Sequence, residues 1–183
     1  MEQKESSTSN LYYSEFLTDV LGKIWLAATD SGLKYLRFDD ETGTFIANLA
    51  KSIEPERQPN ILFSPEKFGP YRQALEDYCH DKTPIPSSLP LDLSELTDFQ
   101  QQILQHVQNI PFGASTTYGE IAEAIQNPNA SRAIGQVLRR NPIPIIIPCH
   151  RVLSADGTLG GYGGVLGSQR KIALLKHEGV ILA

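Results

Sequence analysis

Apolar and polar positions along the chain change period several times, and each change predicts an element. Lys23–Thr29 and Leu33–Phe38 are compact apolar runs joined by Asp30-Ser31-Gly32. They predict a β-hairpin whose glycine supplies the positive φ of the turn. From about Pro70 to His80 the spacing becomes helical, with Tyr71, Leu75 and Tyr78 on one face. The following "DKTPIPSSLPLDLSEL" carries Pro84, Pro86 and Pro90 and cannot continue a helix, so it reads as a linker. A boundary near residue 92 follows: a loose polar tail over 1–10, an N-terminal α/β unit over 11–92 including the linker, and a C-terminal unit over 93–183.

The second unit opens with helices. Thr97 followed by Gln100 is a capping-box pattern, and Phe99, Ile103, Val107 and Ile110 then recur at helical spacing until Pro111-Phe112-Gly113. Thr117 and Glu120 repeat the pattern before Ile121, Ala122 and Ile125. Asn127 is placed to cap a third helix with Pro128 at its first position. There Ala130, Ala133, Ile134, Val137 and Leu138 form an inner face, and Arg132, Gln136, Arg139 and Arg140 an outer one. Two short helices separated by a tight turn, the second lined with arginines, fit a helix-turn-helix.

Charge sharpens this. The net charge of −5 argues against a nucleic-acid partner, but it is unevenly spread. Residues 1–91 carry 9 basic against 14 acidic side chains, whereas 92–183 carry 7 of each. Within 130–176 seven bases meet only Asp156, a local +6, and a phosphate backbone responds to charge within a Debye length. No apolar run approaches the ~20 residues needed to span a bilayer, and the N-terminus lacks the apolar core of a signal peptide. A cytoplasmic protein is the expectation, nuclear in a eukaryote. The two cysteines, Cys79 and Cys149, make no disulfide framework and no zinc-site spacing, so free thiols are expected.

Candidate chemistry gathers at "PIPIIIPCHRV". Ile145–Ile147 is a β-branched run suited to a buried strand, which would leave Cys149 at a strand end beside His150 and Arg151. A thiol becomes a strong nucleophile when ionised, and an imidazole within a positive field favours the thiolate. The chain then turns back around Asp156-Gly157. A last helix begins near Ser168, turns Ile172 and Leu175 inward, and ends with Gly179 as C-cap, which puts Glu178 where a carboxylate could orient His150. On spacing alone Glu178 reads as a surface charge.

Taken in order, Asn141-Pro142-x-Pro144, "IPCHRV" at 147–152, "SRAIG" at 131–135, "GGYGG" at 160–164 and "HEG" at 177–179 resemble the O6-alkylguanine-DNA alkyltransferases, also called methylated-DNA–protein-cysteine methyltransferases. The detailed likeness covers residues 94–179. It implies an N-terminal ribonuclease-H-like α/β domain on a small antiparallel sheet and a mostly helical C-terminal domain with a helix-turn-helix. It also implies irreversible transfer of an alkyl group from O6 of guanine to Cys149, one lesion per molecule, with O4 of thymine as a further candidate target. By the same resemblance His150 takes the thiol proton through a water, Glu178 holds His150, Tyr118 protonates the departing guanine and Asn141 fixes the loop. Arg132 fills the place of a flipped base, with Tyr118, Asn127 and Gln136 as further DNA contacts, and Val152, Tyr162, Gly163 and Gly164 form the guanine pocket. The partner is double-stranded DNA bearing the lesion; a monomer, no cofactor and no metal are expected.

Three features depart from the family pattern. The stretch from Tyr162 to His177 is about two residues longer, Gly163 stands where some members carry serine or alanine, and the zinc ligands of some relatives are missing. Two other readings are open. A lesion sensor would need an inert Cys149, and a Cys-His-Glu acyl hydrolase would turn over repeatedly without DNA.

Overall fold

A computed structural model describes residues 10–38, 42–51, 60–162, 165–166 and 168–181. Of the expected tail only Asn10 is described, and it opens a strand. Strands β1 (Asn10–Thr18), β2 (Gly22–Thr29) and β3 (Gly32–Phe38) form an antiparallel meander, and β4 (Asn60–Phe63) adds to the outer side of β1 in parallel. The sheet order is β3-β2-β1-β4, so the sheet is mixed where an antiparallel one was expected. The parallel edge arises because α1 (Thr42–Lys51) lies between β3 and β4 in the chain and carries it back across the sheet.

Central β2 is buried on both faces because its alternate residues serve two cores. Trp25 and Ala27 turn toward Phe45 and Leu49 of α1, with Trp25 stacked on Phe45 at a centroid distance of 5.0 Å. Ile24, Leu26 and Ala28 turn the other way, toward Tyr71, Leu75 and Tyr78 of α2 (Gly69–Asp81). That second cluster does not stop at residue 92. It runs on through Ile103, Ile134, Ile147 and Leu174, one continuous apolar core across both halves.

The proline-rich segment is pinned along the exposed edge of the sheet. Leu33 N–H donates to Pro90 O at 3.0 Å and Asp92 N–H to Leu33 O at 2.8 Å. A Cβ on Gly32 would lie 2.5 Å from the Pro90 carbonyl, so this approach requires glycine, and its φ of +143° suits the same residue. Farther along β3, Leu36 N–H donates to Pro142 O at 2.9 Å, tying the sheet to the loop that precedes Cys149.

Both capping boxes form as the sequence predicts, at Thr97/Gln100 for α3 (Asp98–Gln108) and at Thr117/Glu120 for α4 (Tyr118–Ala124). Asn127 does not cap the next helix. Its N–H closes α4 on Ala122 O at 2.8 Å and its carbonyl accepts from Ala130, so α5 (Ser131–Arg139) starts three residues later behind Ala130 with no side-chain cap. Ala130, Ile134 and Leu138 face inward, whereas Ala133 is exposed: the buried stripe is narrower than the pattern suggested.

The isoleucine run is a turn. Ile145 has φ of +73°, Pro144 bridges Ile147, and Ile147 N–H returns to Ile143 O at 2.9 Å. Pro142, Pro144 and Pro148 remove the donors a strand ladder would need, and the three isoleucines are buried as a compact plug. A β-branched residue in the left-handed region costs about 1–3 kcal/mol, which the surrounding core must offset. At the far end α6 (Gln169–His177) buries Lys171, Leu174 and Leu175, while Ile172 is half-buried. Its C-cap is Glu178, one residue before Gly179 at φ +74°.

Candidate active site

Cys149 opens a one-turn 3-10 helix, Cys149–Arg151, which takes the place of the expected strand end. A strand would have sent Cys149 and His150 to opposite faces; this turn buries Cys149, His150 and Arg151 together. β5 (Thr116–Thr117) pairs in parallel with β6 (Val152–Leu153), so the start of α4, and with it Tyr118, lies beside the turn.

Two groups bear on the thiol. Asn141 Nδ2 lies 3.1 Å from Cys149 Sγ and also donates to Ile147 O at 2.8 Å, while its Oδ1 accepts from Ile143 N–H at 3.0 Å. The asparagine therefore fixes the strained loop and hands a donor to the sulfur. Lys171 is fully buried, its Nζ donating to Val152 O at 2.6 Å. Burial pulls its ammonium down to about 8, opposed by the nearby Cys149. Burial pushes the Cys149 thiol up, and the Asn141 bond and the Lys171 charge pull it back toward thiolate.

His150 is wholly buried and its Nε2 lies 2.7 Å from Glu178 Oε1. Glu178 is no surface charge. Tyr78 Oη donates to Oε1 at 2.8 Å, Arg151 Nη2 to Oε1 at 2.9 Å and Arg151 Nε to Oε2 at 2.8 Å, with Gly113 N–H at 3.3 Å from Oε2. Burial would raise its pKa, yet the bonds from His150 and Arg151 prevail and hold it at about 2. An ionised Glu178 makes Nε2 the protonated nitrogen of His150 and leaves Nδ1 as acceptor; Nδ1 has no partner among the described residues. Burial itself pushes His150 down, so the imidazole is neutral.

Above the sulfur lies a cavity of about 550 Å³, walled by Tyr118, Arg132, Gly135, Gln136, Leu138, Arg139, Gly161 and Tyr162 with Cys149 at its base. Tyr118 is half-buried, and burial together with Cys149 raises its hydroxyl, which stays protonated. Gly160, at φ +63°, lets the chain pass close: a Cβ there would sit 3.4 Å from the Tyr118 hydroxyl. Arg132 and Arg139 on α5, and Arg140 at its C-cap, are exposed.

The structure thus brings together Cys149, His150, Glu178, Asn141, Tyr118, Tyr162, Arg132 and Gln136. Val152 is fully buried and is not among the cavity walls; Asn127 is exposed on the α4–α5 connector, away from them. Gly163 and Gly164 lie outside the described residues. Sequence reasoning missed Lys171 and Tyr78. For Lys171 a signal existed, since Lys171, Leu174, Leu175 and Glu178 are spaced i, i+3, i+4, i+7 on one helical face. It also counted Arg151 and Lys171 in the basic surface, and both are internal. Among the described residues no three His, Cys, Asp or Glu side chains converge as a metal-binding group, and no helix is long and apolar enough to cross a membrane.

The family model described as 6-O-methylguanine DNA methyltransferase, ribonuclease-like domain, matches residues 11–93, and the one described as the DNA binding domain of the same enzyme matches 98–180. The methylated-DNA–protein-cysteine methyltransferase of Methanosarcina acetivorans is 39% identical over 92% of this chain and 99% of its own. That of Mycobacterium leprae is 50% identical over 86% of this chain and 87% of its own. Among solved structures, Mycobacterium tuberculosis OGT in complex with DNA superposes with a TM-score of 0.74 at 35% identity, covering 91% of this chain and 92% of that one. With both of its domains matched in order and relatives aligned along nearly their whole length, the chain belongs to the 6-O-methylguanine DNA methyltransferase family.

Proposed function

We propose that this protein repairs DNA by moving a methyl or other alkyl group from O6 of guanine onto Sγ of its own Cys149, once per molecule. The observation that carries the reading is the linked set Cys149–Asn141 and His150–Glu178 under a cavity bordered by exposed arginines. The thiol proton passes to Nδ1 of His150 through a bridging water, and Glu178 stabilises the imidazolium. Sulfur bonds to the alkyl carbon as the carbon–O6 bond breaks, and its electron pair stays with the base. Tyr118 supplies a proton to the departing guanine and is re-protonated by way of His150, so one proton moves in net from thiol to base. The thioether has no route back, and the protein is consumed.

A stacked guanine cannot present O6-alkyl carbon to a buried sulfur, so the base is flipped into the cavity. We take α4, its connector and α5 as a helix-turn-helix whose second helix enters the minor groove. Arg132 occupies the gap in the stack, and Gln136 and Asn127 meet the backbone. Residues 11–92 and 93–183 act as a ribonuclease-H-like unit and an acceptor unit of a monomer that works where the DNA is, in the cytoplasm or a nucleus.

The test is intact and peptide mass spectrometry after mixing the protein with a duplex containing one O6-methylguanine. One methyl group per molecule, confined to Cys149 and absent from Cys79, is the expected result. Tight binding with both thiols unmodified would make the protein a lesion sensor, and neither binding nor modification would sink the reading.

A further inference from the structure

Glu178 is one point where the two halves of the chain meet at the site. Its Oε1 accepts three donors: His150 Nε2 at 2.7 Å, Tyr78 Oη at 2.8 Å and Arg151 Nη2 at 2.9 Å. His150 and Arg151 share one turn, whereas Tyr78 comes from α2, 100 residues earlier than Glu178. Its ring is fixed in place. Fully buried, it meets Phe112 edge-on at 5.9 Å and the His177 ring at 5.0 Å, and its own carbonyl holds His177 Nε2 at 2.7 Å. The hydroxyl is therefore aimed at the one carboxylate oxygen that His150 also uses.

Arg151 already positions that carboxylate, through a fork of Nε to Oε2 and Nη2 to Oε1. Tyr78 is superfluous as an anchor. What a further donor on Oε1 does is draw off negative charge, which weakens the pull of Glu178 on the His150 proton. We propose that Tyr78 is a positioning residue that tunes the basicity of His150 through Glu178, so that the N-terminal half takes part in the chemistry of the alkyl-acceptor site. This rests on the reading of Cys149 as acceptor and His150 as its base.

The sign of the effect follows from the groups around the pair. Arg151, Lys171 and burial disfavour an imidazolium at His150 and Glu178 favours it, with Cys149 nearby and the Tyr162 ring edge-on at 6.4 Å. Around Glu178 stand Tyr78, His150, Arg151 and the Gly113 N–H, with His177 behind the Tyr78 ring. Removing the hydroxyl concentrates charge on Oε1 and makes His150 more basic. Since His150 must be neutral to accept a proton, the acid limb of the transfer rate moves to higher pH.

The experiment is single-turnover methyl transfer from an O6-methylguanine duplex across pH, with the full chain, Tyr78→Phe, and the chain carrying 3,5-difluorotyrosine at position 78. Tyr78→Phe keeps the packing and is expected to raise the acid limb by about 0.5–1 pH unit, slowing transfer about threefold or more on the acid side and less than about twofold on the plateau. The fluorinated phenol, kept protonated by its burial beside Glu178, is a stronger donor and is expected to move the limb the other way. Limbs that superimpose in both variants would reduce Tyr78 to a packing residue and overturn the inference, whatever the loss of stability. Were Tyr78→Phe not to fold, the fluorinated chain alone decides. An unsubstituted chain that takes up no methyl group at any pH would overturn the acceptor reading first and this inference with it.

Discussion

The chain contains the dipeptide Cys-His twice, at 79–80 and at 149–150, and both thiols are free and buried. Backbone makes the first difference. On α2 successive residues diverge by about 100°, so Cys79 faces the core and His80 faces solvent, whereas the 3-10 turn draws Cys149, His150 and Arg151 inside together. Surroundings make the second. Burial lifts the Cys79 thiol to about 11, and the Thr18 hydroxyl bond that lowers it is countered by the charge of Glu76. At Cys149 burial meets an asparagine donor and a buried ammonium, both of which favour the thiolate. Reactivity thus belongs to the donors and charges around a thiol, and the neighbouring histidine counts only where a carboxylate has been brought in to orient it.

The largest effect is expected from removing that carboxylate's charge. Glu178→Gln leaves Arg151 buried without a counter-ion and His150 facing a neutral amide in place of a carboxylate. Methyl transfer should fall by roughly 100-fold, and urea denaturation should show about 3–5 kcal/mol lost. The pH dependence gives a second readout. Glu178 is held at about 2 against an ordinary 4.5, so its contribution is complete above about 4.5 and is lost as pH falls from there toward 2. The stability gap between the two proteins should therefore close in that window. A glutamine variant that transfers at the parental rate would make the Cys149 pair no different in kind from the Cys79 pair.

Much of this contrast was legible in the sequence, and what was not has physical reasons. Capping boxes are local, so Thr97/Gln100 and Thr117/Glu120 announce α3 and α4 outright. The hairpin and α2 follow from short-range periodicity. The isoleucine run misled because β-branching speaks for a strand, while the flanking prolines and the core decided for a turn with Ile145 in the left-handed region. Asn127 misled because cap and connector use the same residue types, and the connector took its backbone. At the site, Cys149 and His150 are adjacent in sequence and could be named together, whereas the role of Asn141 came only with the resemblance. Glu178 needed the resemblance, since nothing local distinguishes a buried carboxylate from a solvated one. Tyr78 reads as an ordinary apolar-face residue, and only folding brings its hydroxyl to a carboxylate 100 positions away.

Lys171→Met tests the electrostatic half of the contrast and ranks second. The thioether chain fills similar space without the charge, so Cys149 loses the ammonium that favours its thiolate and methyl transfer should slow by about tenfold. Stability at neutral pH should not fall, because burying the ammonium is itself unfavourable. Lys171 is depressed to about 8 from an ordinary 10.5, so the unfolded chain binds this proton more tightly; the penalty on folding is full below about 8 and is relieved as pH rises toward 10.5. Urea denaturation at about pH 7 and about pH 9.5 should therefore show the parental protein gaining on the variant. An unchanged transfer rate would mean that Asn141 alone supports the thiolate.

The smallest effect is expected at the other cysteine. Cys79 packs into the core from α2 and lies within reach of Thr18, with the charge of Glu76 opposing its thiolate and His80 turned to solvent. Cys79→Ala should cost about 1 kcal/mol in urea denaturation, the usual consequence of a small cavity. The rate and stoichiometry of methyl transfer should stay within about twofold of the parent. Alkylation of the native protein with iodoacetamide adds the direct comparison: label should enter at Cys149 first, and reach Cys79 only as the core opens, at a rate that follows denaturant. Equal labelling of the two thiols in the native state would break the comparison, since it would mean that Asn141 and Lys171 give Cys149 no advantage over a thiol with neither.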